Sequence, residues 1–294
     1  MKLPTRLLAV AALAAAWTVP AMAKPLVVGG KNFTEQLLLA EITSQLLKKK
    51  GFQVDKRDGL GSQVVRDAQV NGQVDVYWEY TGTSLVTYNK IKDRMGSKET
   101  YDRVKELDAK IGLTWLTPSA VNNTYALAVR KKHDATDGLD SLSDLAAAFR
   151  NGKKLTIAID AEFSGRPDGL PGLQTTYDFK TSRANIRSMD AGLTYQALRD
   201  GRVDIGLVFA TDGRIKAFDF KVLKDDKEFF PNYAAAPVVR TETLKANPTL
   251  EAPLNALSAK LSDEVLRQLN ARVDVDKVPV ATVASEFLAE AGID

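Results

Sequence analysis

The sequence contains two near-copies of one short pattern, "VNGQVDVYWEYTGT" (residues 70–83) and "LRDGRVDIGLVFATDG" (residues 198–213). In each copy, a Gly-x-Val-Asp motif precedes an apolar run that is typical of a β-strand. The run ends in an aromatic residue, Tyr80 in the first copy and Phe209 in the second, and Thr and Gly follow closely. The repetition predicts two similar structural units, each with an aromatic side chain at the carboxyl end of a strand.

Strand and helix patterns alternate around the first copy. An apolar strand pattern at 25–30 is followed by a helical pattern at 31–51, where Asn32 and Glu35 have the spacing of a capping box. A strand, a helix and a further strand are predicted over 52–80. This alternation is typical of a parallel sheet covered by helices.

The same order of elements restarts near residue 140 and ends with the strand that carries Phe209. Beyond residue 247 the chain turns helical in three successive patterns, the second with Ser262 as its N-cap. The sequence therefore predicts an α/β fold with two parallel or mixed sheets, each flanked by helices.

Two further segments form a pair. Residues 122–132 and 231–242 each place a Tyr before a strand of small apolar residues and an Arg. We interpret them as the two crossings between lobes, with the second lobe inserted into the first. Lobe 1 is then residues 24–128 and 235–294, lobe 2 is residues 129–234, and a ligand cleft lies between them.

The N-terminus has the pattern of a secretory signal peptide, residues 1–23. Lys2 and Arg6 precede the apolar run 7–17, and small residues follow, which predicts cleavage after Ala23. The run is too short to span a bilayer, which needs about 20 residues. The chain has no cysteine, so it forms no disulfide and carries no lipid on a cysteine. We expect a periplasmic protein.

Composition excludes several classes of function. With 45% hydrophobic and 26% charged residues the chain is globular, and its net charge of +3 falls to about +1 once the signal peptide leaves. Such a balance predicts no binding to nucleic acid. The sequence has no Gly-x-Ser-x-Gly, no Walker loop and no cysteine nucleophile, and its one histidine, His133, lies in a charged loop. We predict no enzyme activity, no cofactor and no metal site.

Four aromatic residues are expected at the cleft. In open α/β sheets ligands bind beyond the carboxyl ends of the strands, where Tyr80 and Phe209 lie, and Tyr125 and Tyr233 begin the two crossing segments. Several aromatic faces around one point attract a weakly hydrated cation, by about 0.5–2 kcal/mol each. The alternative is ordinary packing of the rings. Trp78 alternates with Tyr80 along its strand and is expected to face the core.

Two basic residues are expected near the same cleft. Lys31 follows the first strand at the start of a helix, and Arg166 lies in a glycine-rich loop after a strand of the second unit. Each can bind a carboxylate. The alternatives are a solvated Lys31 and an Arg166 that pairs with Asp168. Aromatic rings for a cation, together with basic groups for a carboxylate, predict a small zwitterion as the ligand.

Six motifs resemble those of the substrate-binding proteins of osmoprotectant ABC importers, the glycine betaine, choline and carnitine type. They run in order over nearly the whole chain: "GGKNFTEQLLLAE", "VDVYWEYTGT", "NNTYALAV", "EFSGRPDGLPGL", "VFATDGRI" and "FFPNYAAAPVVR". The resemblance implies a two-lobed type II periplasmic binding protein that closes on its ligand. It also implies a monomer whose partners are the permease and ATPase subunits of an ABC importer.

The resemblance also implies particular site residues. The box for the trimethylammonium group falls on Tyr80, Tyr125, Phe209 and Tyr233. The carboxylate partners fall on Lys31 and Arg166, with Thr83 as a further hydrogen-bonding group. The family has a tyrosine where this chain has Phe209, which keeps the aromatic face and loses the hydroxyl group. We therefore expect a reduced affinity for glycine betaine or a different preferred ligand.

Two alternatives to this function remain open. The same fold can bind another small zwitterion or an amino acid that has no quaternary amine. The protein can also be a solute receptor that signals or that forms part of a larger membrane assembly. Neither alternative is excluded by the sequence.

Overall fold

The structure of the protein is a computed structural model that describes residues 24–293. The predicted signal peptide, residues 1–23, lies outside the described residues. None of the helices formed by residues 24–293 has both the length and the apolar character needed to cross a membrane.

Ten strands form two five-stranded sheets within the described residues. The first sheet has the order β2-β1-β3-β10-β4 and the second the order β7-β6-β8-β5-β9. The strands are β1 (Leu26–Lys31), β2 (Val54–Leu60), β3 (Val76–Tyr80), β4 (Leu113–Trp115), β5 (Tyr125–Arg130), β6 (Ile157–Ile159), β7 (Ile186–Ser188), β8 (Ile205–Phe209), β9 (Phe220–Val222) and β10 (Ala235–Arg240).

Twelve α-helices of the described residues flank these sheets, and a π-helical turn (Thr83–Tyr88) follows β3. They are α1 (Thr34–Lys49), α2 (Ser62–Val70), α3 (Ser97–Ala109), α4 (Leu142–Arg150), α5 (Ala161–Gly165), α6 (Leu170–Tyr177), α7 (Ala191–Arg199), α8 (Arg214–Ala217), α9 (Thr241–Ala246), α10 (Glu251–Ser258), α11 (Asp263–Asp274) and α12 (Val280–Ala291). The α/β fold predicted from the sequence is therefore confirmed.

The two sheets share one plan. In each, three parallel strands are followed by an antiparallel strand that comes from a crossing segment: β5 pairs with β8, and β10 pairs with β3. The second sheet is thus formed by the continuous segment β5–β9, which is inserted in the chain between β4 and β10 of the first sheet. The predicted lobe boundaries stay a prediction, and β5 belongs to the second sheet from Tyr125 onward, before the boundary expected at residue 129.

Of three predictions made for single residues, two are confirmed and one is wrong. Trp78 is 1% exposed and lies in the core, as expected, and its indole N–H donates to Thr43 Oγ1. The Ser262 side chain caps α11 as predicted, accepting from the backbone N–H of Val265. The capping box at Asn32 is wrong, because α1 begins at Thr34 and its N-cap residue, Phe33, makes no side-chain cap.

Candidate ligand-binding site

A cavity of about 220 Å³ lies between the two sheets, and we call it the ring cavity. It is smaller than the roughly 300–1,000 Å³ of pockets for drug-sized ligands, so it suits a small metabolite. Its lining includes all seven residues predicted from the sequence: Lys31, Tyr80, Thr83, Tyr125, Arg166, Phe209 and Tyr233. An open groove of about 1130 Å³ elsewhere includes only Tyr125 of these seven.

Strand register brings the rings together. Tyr80 and Phe209 are the last residues of β3 and β8. Tyr125 lies directly opposite Phe209 in the antiparallel pair, with their ring centroids 5.4 Å apart. Tyr233, just before β10, meets the Tyr125 ring edge-on at 5.6 Å. Tyr125 therefore contacts two of the other three predicted rings, Phe209 and Tyr233, and Tyr125 and Tyr233 come from the two crossing segments.

Phe33 is an aromatic residue of the cavity that the sequence analysis missed. Its ring stacks on Phe209 at 5.1 Å and on Tyr80 at 6.2 Å, which links the rings of the two sheets. It follows the end of β1 by two residues, so the rule about the carboxyl ends of strands applies to it as well. The sequence of this segment otherwise carries only the signals of a helix start.

The glycines of the repeated pattern allow close contacts. A Cβ atom on Gly82 would lie 2.8 Å from the Tyr233 ring, and one on Gly213 would lie 2.5 Å from Cβ of Ala271 in α11. Neither distance is possible for a real side chain. The two copies of the repeated pattern are thus equivalent. In each, a strand ends in an aromatic residue, and the glycine that follows leaves room for a neighbouring segment to pack closely.

The ammonium group of Lys31 is buried and paired. Its side chain is 2% exposed, and Nζ lies 2.5 Å from Oε1 of Glu79. Burial lowers the pKa of Lys31, and the Glu79 carboxylate opposes that shift. Tyr77 Oη donates to the same carboxylate at 2.8 Å. The alternative of a solvated Lys31 is therefore wrong.

Arg166 pairs with Asp168, the alternative left open by the sequence. Arg166 Nε and Nη2 donate to the two oxygens of Asp168 at 2.8 Å and 2.5 Å, and Nη2 also donates to Thr83 Oγ1 at 3.2 Å. Tyr233 Oη donates to Asp168 at 2.7 Å, so this carboxylate also orients a ring of the cavity. Nη1 of Arg166 lies 3.7 Å from the Glu162 carboxylate, at the cavity wall.

The carboxyl group of Glu35 binds one ring of the cavity and several polar side chains from distant segments. The sequence had instead suggested a helix-capping role for Glu35. It accepts hydrogen bonds from Tyr80 Oη at 2.7 Å, Asn123 Nδ2 at 2.8 Å and Asn270 Nδ2 at 3.4 Å, and also from Thr211 Oγ1. Burial raises the pKa of Glu35, and these hydrogen bonds oppose the rise. It is a buried carboxyl group bound by four polar side chains.

Acidic groups also line the ring cavity. Glu162 and Asp160 lie at the start of α5. Burial alone would raise the pKa of Glu162, but hydrogen bonds from Ser62 and the charges of Lys31 and Arg166 hold it below its usual value. Burial raises the pKa of Asp160. The cavity thus presents aromatic faces and negative charge beside two basic groups that already have internal partners.

Two α/β sheets, the second formed by a segment inserted between β4 and β10 of the first, with an aromatic cavity between them, define a type II periplasmic binding protein. Residues 24–290 match the family model of the substrate-binding domain of ABC-type glycine betaine transport systems. The chain belongs to this family.

Individual relatives agree with this assignment. The chain is 45% identical over 276 residues to a glycine-betaine-binding protein of Pseudomonas aeruginosa, covering 92% of this chain and 89% of that protein. It is 35% identical to an ergothioneine transport permease/ergothioneine binding protein, EgtU, of Helicobacter pylori, covering 95% of this chain and 50% of that protein. The structure of apo YehZ from Escherichia coli matches with a TM-score of 0.66 and 33% identity, over 92% of this chain and 100% of that one.

Proposed function

We propose that the protein is the periplasmic ligand-binding component of an ABC importer, and that it binds a quaternary-ammonium zwitterion such as glycine betaine in the ring cavity. Its signal peptide is cleaved after Ala23. The mature chain acts as a monomer and delivers its ligand to a permease driven by an ATPase. It catalyses no reaction and binds no nucleic acid. The lobes divide at about residues 128 and 235.

The observation that carries the proposal is the contact between Tyr125, Phe209 and Tyr233, with Phe33 stacked on Phe209. Aromatic faces attract a trimethylammonium group because it is weakly hydrated and loses little on leaving water. Tyr80 completes this cage. The ligand carboxylate then lies near Lys31 and Arg166, with Thr83 as a further donor.

A different small zwitterion, such as an amino acid, is the second candidate. Asp160 and Glu162 line the cavity and can accept hydrogen bonds from a primary ammonium group, which a trimethylammonium group cannot donate. Phe209 also lacks the hydroxyl group that the family's tyrosine carries. These features favour a ligand with N–H donors or a reduced affinity for glycine betaine.

Calorimetric titration of the mature protein with glycine betaine, choline, carnitine and proline tests the proposal. We expect glycine betaine to bind and proline not to bind, and we expect Phe209→Tyr to bind glycine betaine more tightly. Binding of proline alone would favour the second candidate. If no quaternary amine binds at millimolar concentration, the proposed ligand class is wrong although the family assignment stands.

A further inference from the structure

The rings of Phe33 and Phe209 stack across the boundary between the two sheets. We call the first sheet with its helices the first half of the molecule, and the second sheet with its helices the second half. Phe33 lies between β1 and α1 of the first half, and Phe209 ends β8 of the second. Their centroids are 5.1 Å apart, with 12° between the ring planes. A phenylalanine side chain has no hydrogen-bonding group, so the segments that carry the rings must fix this arrangement.

Asp274, the last residue of α11, contacts both of those segments. Its Oδ1 accepts a hydrogen bond from Thr34 Oγ1 at 2.9 Å, and Thr34 directly follows Phe33. Its Oδ2 lies 3.1 Å from Nη2 of Arg214, which begins α8 shortly after Phe209. Oδ2 is buried and accepts no hydrogen bond from a described residue, so the ion pair is what compensates its charge. One carboxylate therefore joins a segment of the first half to a segment of the second.

Arg214 is connected in turn to the backbone of Phe209 through Tyr195. The guanidinium carbon of Arg214 lies 3.8 Å from the centroid of the Tyr195 ring. Tyr195 is fully buried, and its Oη accepts a hydrogen bond from the backbone N–H of Phe209 at 2.8 Å. Strand β6 pairs with β8 only as far as Gly206, so the Tyr195 hydroxyl group supplies an acceptor where that strand has ended. The position of Arg214 therefore helps to determine that of Phe209.

Helix α11 binds the segment between β8 and α8 at two further points. Arg267 Nε donates to the carbonyl oxygen of Ala210 at 3.1 Å, and Asn270 Nδ2 donates to that of Thr211 at 3.0 Å. Because α11 packs on α1, these contacts set a helix of the first half against the second half. Asp274 adds a charged contact at the end of this row.

Asp212 shares Arg214 with Asp274 but cannot replace it. Its two oxygens accept from Nε and Nη2 of Arg214 at 2.9 Å and 2.5 Å. Both residues of this pair belong to the second half, so the pair fixes the conformation of Arg214 within that half. Asp274 is the carboxylate that extends the link to the first half.

We propose that Asp274 is a positioning residue for ligand binding. It holds Thr34 and Arg214 together. The adjoining rings, Phe33 and Phe209, are thereby kept stacked at the wall of the ring cavity. The inference rests on the proposed function, because this stack is part of the cage for the trimethylammonium group. Asp274 itself is not a lining residue of the ring cavity and acts only through the rings.

The test is titration calorimetry with glycine betaine, at a temperature at which urea unfolding shows every variant to be folded. Asp274→Asn keeps an oxygen that accepts from Thr34 and removes the charge that faces Arg214. We expect it to bind glycine betaine about three- to tenfold more weakly than the unaltered protein does. Asp276→Asn is the matched control, because it makes the same change of charge at an exposed position just after α11.

A double-mutant cycle separates positioning from a loss of stability. Thr34→Val removes the hydroxyl group that binds Asp274, and we expect it to weaken binding about two- to fivefold. In an Asp274→Ala background, Thr34→Val should have no further effect, because the hydroxyl group then has no carboxylate to act through. A carboxylate that merely stabilised the fold would lower the free energy of unfolding and leave the affinity of the folded protein unchanged.

Hydrogen exchange of the Phe209 amide gives a readout that needs no ligand. This N–H is bound by Tyr195, whose ring lies against Arg214. In the ligand-free protein, Asp274→Asn should speed its exchange by about threefold or more relative to that of the Val238 amide, which lies in the buried strand β10. The control variant should change neither rate.

The outcomes separate the inference from the proposed function. If glycine betaine binds the unaltered protein and Asp274→Asn with equal affinity, the inference is overturned and the proposed function stands. The inference is also overturned if Asp276→Asn weakens binding as much, or if exchange of the Phe209 amide is unchanged. Additive effects of Thr34→Val and Asp274→Ala overturn it as well. If glycine betaine binds none of the proteins, the proposed function fails, and the inference fails with it.

Discussion

The Glu162 carboxylate caps a helix that belongs to the other half of the molecule. Its Oε1 accepts from the backbone N–H of Ser62 at 2.8 Å, and its Oε2 accepts from Ser62 Oγ at 2.7 Å. Ser62 begins α2 beside the first sheet, whereas Glu162 lies in α5, which follows a strand of the second. Free N–H groups and the helix dipole stabilise a carboxylate at this position. The contact therefore fastens the two halves across the ring cavity.

Removing the negative charge of Glu162 should favour a form in which the two halves of the molecule lie further apart. We expect Glu162→Gln to weaken glycine betaine binding by about three- to tenfold, because a charged hydrogen-bonding pair becomes a neutral one. Calorimetry measures the affinity, and small-angle scattering of the ligand-free variant should give a larger radius of gyration. Glu99→Gln, an equal change of charge at an exposed helix position, is the control. Unchanged affinity and radius would show that the contact does not hold the halves together.

Variants of the buried Lys31–Glu79 pair can separate the role of Lys31 in stability from its role in ligand binding. Lys31→Met should destabilise the protein by about 3–5 kcal/mol, because it leaves Glu79 buried without its cation. The double variant Lys31→Met/Glu79→Gln should recover most of that loss, as measured by urea unfolding. It should not recover glycine betaine binding. If the double variant binds like the unaltered protein, Lys31 serves only as the partner of Glu79.

Glu35 should make stability depend on pH in a defined direction. Burial raises its pKa above the ordinary value of 4.5, so the stability that this group contributes is fully present below pH 4.5. It is lost as pH rises through the raised pKa. A glutamine at this position would not titrate, so the melting temperature of Glu35→Gln, relative to that of the unaltered protein, should rise as the pH is raised from about 4.5 through the raised pKa of Glu35. Parallel melting curves across that range would contradict the prediction.

Two tyrosines of the ring cavity should respond differently to loss of their hydroxyl groups. Tyr80→Phe removes a donor to the buried Glu35 carboxylate and should cost about 1–2 kcal/mol of stability and some ligand affinity. Tyr125→Phe is the matched control, because within residues 24–293 no hydrogen bond joins the Tyr125 hydroxyl group. Both variants keep the aromatic face. Equal effects on melting temperature would argue against a positioning role for Glu35.

The repeated pattern allowed much of the fold to be predicted. Apolar alternation and helix signals located the strands that end at Tyr80 and Phe209, the helix that begins after Ser262 and the buried Trp78. Segment 84–121 was not assigned, although it holds the 13-residue helix α3, whose sequence is mostly polar and charged. The glycine-rich stretch around Arg166 was interpreted as a loop, but the short helices α5 and α6 flank Arg166.

Lys31, Tyr80 and Phe209 line one cavity because they end β1, β3 and β8, whose carboxyl ends lie at the cleft. Tyr125 and Tyr233 reach the same cavity because β5 and β10 run antiparallel to those strands and begin there. Phe33 lies two residues after the end of β1 and could have been predicted by the same rule, although the helix signals of its segment do not indicate it.

The sequence could suggest Asp168 as the partner of Arg166, two positions away, but not the distant partners of other charged groups. Glu35 had the spacing of a capping residue, yet its partners Thr211 and Asn270 lie 176 and 235 positions away. The sequence by itself determined where strands and helices form, because those patterns depend on neighbours within a few positions. Only the tertiary structure decided which carboxylate pairs with Lys31 or caps Ser62, because folding brings such groups together from distant parts of the chain.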